Sequence, residues 1–99
     1  MNRDEILEIV RAELREVLRV KPERITTTAR LFSDLGAESI DLLDLRFRLE
    51  KAFAMKITDA EIVDSLGEGL SNEEIDNRFT VGSVVEFVEA KRAQVAEAA

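Results

Sequence analysis

Asp34-Leu35-Gly36-Ala37-Glu38-Ser39-Ile40-Asp41 is the segment around which the chain is organised. Here a polar loop bends through a single glycine and hands over to a helix. Gly36 takes positive φ at little cost, and the run Ile40, Leu42, Leu43, Leu45, Phe47, Leu49, Phe53 predicts a helix from about Ser39 to Ala54. Ser39 then falls in the first turn, where backbone N–H groups lack intrahelical partners and the helix dipole favours negative charge. A phosphodiester on its oxygen would be well placed there. Taken alone, a serine at a helix start is an N-cap or a solvated residue. A catalytic serine is favoured still less, because the chain has no histidine to activate it and a Lys or carboxylate in its place would need a geometry the sequence does not show.

Working outward, the helix carries two apolar stripes at about 100° per residue. One holds Leu42, Leu45, Leu49, Ala52 and Phe53, and the other holds Ile40, Leu43 and Phe47. Their centres lie roughly 160° apart on the helical wheel. Two readings stay open at this point: the smaller stripe is exposed for a partner, or both are buried with the second under the preceding loop. Upstream, Asn2 and Glu5 form a capping box for a first helix with Ile6, Val10, Leu14 and Val17 on one face, ending near Arg19 before Lys21-Pro22. A long connection from Val20 to Glu38 follows, with Ile25, Leu31, Phe32 and Leu35 as its apolar anchors. Downstream, Thr58…Glu61 and Ser71…Glu74 read as capping boxes of two short helices, roughly 59–66 and 72–78, separated by Gly67-Glu68-Gly69. A last helix opens near Thr80 with Val81, Val84, Val85 and Val88 on one face. The fold class is therefore all-α: a small bundle of three to four helices with a long first loop and one extra short helix around 59–66, in one domain over 1–92, with a frayed tail over 93–99.

Composition narrows the function. The 99 residues carry 21 acidic and 14 basic side chains, a formal charge of −7, which repels nucleic acid and suits a partner with a basic patch. With no Cys and no His, thiolate nucleophiles, the usual zinc sites and the commonest general base are missing, so no catalytic or metal-binding residue is assigned. Thioester chemistry would need a thiol supplied by an attached cofactor. No apolar run approaches the ~20 residues of a membrane span and no signal peptide is evident, so a cytoplasmic monomer is expected.

The segment 34–41, followed by Leu42, Leu45, Leu49, Glu50 and Phe53, resembles the acyl carrier protein family. That family has a glycine, two residues, then an acid-serine-leucine triplet at the head of its second helix; here the triplet is Glu38-Ser39-Ile40. The resemblance implies that Ser39 takes phosphopantetheine from coenzyme A by the action of a phosphopantetheinyl transferase. It also implies that acyl intermediates of fatty acid, lipid or polyketide biosynthesis ride on the arm as thioesters, the carrier itself catalysing nothing. Partner synthases or acyltransferases would present basic patches to Glu38, Asp41 and Asp44, with Ile40, Leu43 and Phe47 as apolar contact; Asp41 and Asp44 also complement the helix dipole. By the same analogy Leu45, Leu49, Phe53, Ile75 and Phe79 would line an acyl pocket. Between Ile57 and the final helix the chain is about a dozen residues longer than a typical carrier of the family as the resemblance is drawn. Arg46, Arg48 and Lys51 interrupt the acidic second helix, which favours a carrier dedicated to one pathway. Two alternatives are an unmodified acidic interaction module and an aminoacyl or peptidyl carrier, the latter class tending to be less acidic.

Overall fold

A computed structural model describes residues 1–67 and 69–98. Five α-helices follow in order: α1 (Arg3–Leu18), α2 (Ser39–Ala52), α3 (Asp59–Leu66), α4 (Asn72–Arg78) and α5 (Val81–Ala98), with a short 3-10 turn at Pro22–Arg24. Among the described residues there is no strand, only an isolated antiparallel bridge between Arg30 and Thr80.

The helix starts follow local chemistry. In each of α1, α3 and α4 the capping side chain accepts from the N–H three residues on: Asn2 from Glu5 at 2.9 Å, Thr58 from Glu61 at 3.2 Å and Ser71 from Glu74 at 3.2 Å. The glutamates return the bond to the cap N–H. α1 stops where Arg19 turns left-handed at φ 55°, and α2 stops two residues short of the predicted Ala54, which itself takes φ 51°. Glu50 catches the chain as it leaves, its Oε2 accepting from the Ile57 N–H at 2.8 Å. α5 stays helical through Ala98, beyond the point where the sequence places a frayed tail; Ala93, Gln94, Ala96 and Glu97 are compatible with helix.

α1 packs against both α2 and α5. Ile6, Val10 and Leu14 meet Leu45, Leu49 and Phe53 of α2 and Val81, Val84, Val85 and Val88 of α5 in one buried cluster. The long connection contributes its expected anchors Ile25, Leu31 and Leu35 to this core, and two small residues besides, Ala29 and Ala37. Phe32 remains half-buried, edge-on to Phe79 with ring centroids 5.5 Å apart. The loop is sewn by its backbone onto the α4–α5 junction: Leu31 N–H donates to Phe79 O at 3.0 Å, Val81 N–H to Ala29 O at 3.0 Å and Gly82 N–H to Thr27 O at 2.8 Å. Gly82 is required there, since a Cβ would lie 2.9 Å from the Thr27 carbonyl oxygen. The reading in which this loop covers the second stripe of α2 is thereby overturned: its buried side and its hydrogen bonds are spent on the core and on α5.

Candidate functional site

Ser39 is the first residue of α2 and is exposed. Its position is fixed from the loop side by a short ladder. Arg30 holds Asp34 through its own backbone N–H at 2.8 Å and its guanidinium at 3.2 Å, bonds that keep the Asp34 carboxyl below the usual carboxylate range. Gly36, at φ +74°, donates to Phe32 O at 3.0 Å, and Ala37 donates to Leu31 O at 2.8 Å. A Cβ on Gly36 would meet nothing within 4 Å, so it is the backbone conformation and not space that calls for glycine. The chain then leaves the loop at Glu38 and enters the helix with Ser39 at its tip.

The neighbouring acids differ in what they are free to do. Asp41 is half-buried and its Oδ2 accepts from the Glu38 N–H at 2.8 Å, closing the helix start. Asp44 pairs with Arg48 at 3.3 Å, and Arg48 also reaches Glu13 of α1 at 3.5 Å. Glu38 is exposed beside the serine. Of the three acids expected to meet a partner, Asp41 thus has a structural task within α2, and Asp44 shares its charge with a cation four residues on. The apolar part of the expected surface is fully presented: Ile40 is 70% exposed, Leu43 55% and Phe47 66%. A phosphodiester on Ser39 fits this setting, because the hydroxyl is accessible, the Ser39 and Ile40 amides lie in the turn without intrahelical partners, and the nearest half-buried carboxylate is engaged elsewhere.

On the opposite side of α2 lies a cavity of about 160 Å³, walled mostly by carbon. The structure brings Leu45, Leu49 and Phe79 of the expected pocket to it, but not Phe53 or Ile75. Phe53 is buried at the end of α2, with the Arg92 guanidinium 6.0 Å from its ring centre; Ile75 is half-buried on α4. In their place the wall takes Phe32 from the loop, Arg46 from α2, Ile62 from α3, Arg78 from α4 and Phe87 from α5, among others. No sequence signal separates these from core residues: the periodicity that puts Phe87 at the edge of its helix face does not say what faces that edge. α3 is held over this side by two ion pairs, Asp59 with Arg46 and Glu61 with Lys91. The Lys91 ammonium, with help from Thr58, keeps the Glu61 carboxyl below its ordinary range.

Residues 8–71 match the family model described as a phosphopantetheine attachment site. The chain is 36% identical over 90 residues to an acyl carrier protein of Thermotoga maritima, covering 91% of this chain and 95% of that protein. An acyl carrier protein of Prochlorococcus marinus is 36% identical over 92 residues, 93% of this chain and 99% of the relative, and one of Borreliella burgdorferi is 37% identical over 93 residues with the same coverage. Among the described residues no helix is long and apolar enough to cross a membrane.

Proposed function

The chain belongs to the acyl carrier protein family, and on that premise we propose that Ser39 is the residue that receives phosphopantetheine from coenzyme A. The bound arm supplies the thiol that the sequence lacks and on which acyl groups ride as thioesters. The observation that carries the assignment is the accessible Ser39 at the first position of α2, within the matched residues 8–71. The chain's own residues present, orient and shelter; none performs chemistry, and the protein acts in the cytoplasm as a monomeric substrate of partner enzymes.

In this reading Ser39 offers its hydroxyl to a phosphopantetheinyl transferase, and the phosphodiester that results rests on the positive end of α2. Ile40, Leu43 and Phe47 form the apolar centre of the surface that meets the transferase and, later, the synthases or acyltransferases. Glu38, Asp41 and Asp44 add negative potential that draws in basic patches. The acyl chain shelters in the cavity behind α2, against Leu45, Leu49 and Phe79. An engineered apolar cavity of about 150 Å³ holds benzene, so this one has room for roughly six carbons and suits short to medium chains.

The test is intact mass after incubation with coenzyme A and a phosphopantetheinyl transferase of broad range. The wild type is expected to gain the mass of one arm and Ser39→Ala none. Continued gain by Ser39→Ala would move the attachment point elsewhere, and a wild type that several transferases leave bare would overturn the proposal.

A further inference from the structure

The chain carries a formal charge of −7, yet one open hollow on its surface gathers cations. Its lining holds Arg15, Arg19, Lys21 and Arg48 against a single acid, Glu16, with Val20 and Pro22 completing it. Arg48 is shared between Glu13 at 3.5 Å and Asp44 at 3.3 Å. Arg15, Arg19 and Lys21 are exposed and make no ion pair among the described residues. The dipole of α1 favours cations at its end, but Lys21 comes from the connection and Arg48 from α2. Arg19 sits left-handed at φ 55°, a conformation that glycine or asparagine takes at less cost, so the local backbone does not ask for a cation there. The hollow is firmly built: Arg11 Nη2 donates to Pro22 O and its Nε to Ile25 O, both at 2.9 Å, and Arg24 N–H donates to Lys21 O at 3.0 Å.

Arg48 also lines a second hollow with Phe47 and Lys51, which joins the cationic hollow to the open stripe of α2. Arg48 lies nine residues from Ser39, about 14 Å along the helix. A standard interface of roughly 800 Å² per partner spans about 30 Å, so an enzyme seated on the stripe with its active site at Ser39 reaches the hollow as well. We infer that the phosphopantetheinyl transferase serving this chain seats an acidic edge in the hollow, while its basic groups meet Glu38 and its apolar centre meets the stripe. This rests on Ser39 being the attachment point. Among the partners the transferase is the one whose contact that surface fixes, because it must come to the Ser39 oxygen itself, whereas later enzymes meet a thiol at the end of a tether. Nucleic acid and anionic membrane fit less well: each is a broad sheet of negative charge, repelled by the rest of a chain at −7. Carboxylates on a folded partner bring negative charge to the hollow alone.

The experiment measures kcat/KM for the full chain with coenzyme A and the transferase of its own cell, at low and high salt. The triple variant Arg15→Glu, Arg19→Glu, Lys21→Glu is expected to lose about tenfold or more at low salt. The loss should lie in the KM for the carrier, leave the KM for coenzyme A unchanged and shrink as salt rises. Glu16→Lys removes the hollow's one acid and is expected to raise kcat/KM about twofold or more, a gain that loss of folding does not produce. A triple variant modified as fast as wild type, or faster as a uniformly basic partner would make it, overturns the inference, and so does a Glu16→Lys that is no faster. A loss confined to the KM for coenzyme A gives the hollow to that molecule's phosphates, and a wild-type dimer that the triple variant splits gives it to a second copy; either overturns the inference. If wild type is loaded on Ser39 and the charge variants change no rate, only this inference falls. If neither this transferase nor one of broad range loads the wild type, the attachment reading falls and takes this one with it.

Discussion

The two faces of α2 are built from the same residue types and do opposite things. Leu45, Leu49 and Phe53 are sealed against α1, α5 and the loop, whereas Ile40, Leu43 and Phe47, only a residue or two away along the helix, stand in solvent. Apolar character alone therefore does not tell a core residue from an exposed one. What separates the faces is which neighbours the rest of the chain supplies, and the loop, α3 and α5 all go to one side. Burying a leucine fully is worth about 1.5–3 kcal/mol, so an open stripe of three large side chains is a standing cost that a monomer would shed unless a partner used it.

The difference can be broken most severely from the buried side. Leu49→Ala should lower unfolding stability by about 2–5 kcal/mol in urea titrations, a large share of what a small domain has. A loss below about 1 kcal/mol would mean that this face is not the sealed one. Next comes the device that keeps the loop off the open face. Gly82→Ala forces a Cβ against the Thr27 carbonyl and should cost about 1–3 kcal/mol by the same measurement. Loss of hydrogen-exchange protection at the Gly82 and Val81 amides should accompany it.

Acid tests what covers the buried side. Glu61 has a folded pKa depressed below its ordinary 4.5, so the stability it lends is present above that value and drains away as pH falls through the depressed one. Nuclear magnetic resonance signals of α3 should shift before those of α1 and α5 as pH is lowered from about 5 to about 3. Simultaneous loss of all three helices would contradict an ion-pair clasp on α3. Smallest in stability is the change on the open side: Leu43→Ala should stay within about 0.5 kcal/mol of wild type, yet lower the transferase kcat/KM. A variant that lost stability and kept full transferase activity would reverse the roles given to the two faces.

Helix boundaries were legible because they are written in neighbouring residues. Each of Asn2/Glu5, Thr58/Glu61 and Ser71/Glu74 closes its own start through bonds three residues apart, and the valines of α5 announce their buried face by spacing alone. What depended on distant residues was not legible. The burial of Ala29 and Ala37 has no periodic signal, since small loop residues go inside only because backbone bonds to Phe79, Val81 and Gly82 draw the loop down. The two stripes of α2 were visible, but which one stays open follows from where that loop is sewn. Asp41 was legible as an acid that suits both a partner and the start of its own helix, but the Glu38 N–H as its hydrogen-bond donor, at 2.8 Å, was not, because a carboxylate three residues into a helix meets either equally well on paper. Phe53 looked like pocket lining for the same reason that Phe87 did not, because facing an internal void and facing the core demand identical chemistry.

Phe79 stands at both ends of a short relay. Its ring walls the cavity, its carbonyl accepts from Leu31, and the Leu31 carbonyl in turn accepts from Ala37, two residues ahead of Ser39. Two backbone hydrogen bonds thus join the cavity wall to the loop that leads into Ser39. Whatever shifts the Phe79 backbone therefore reaches the entrance of α2 through only two peptide links.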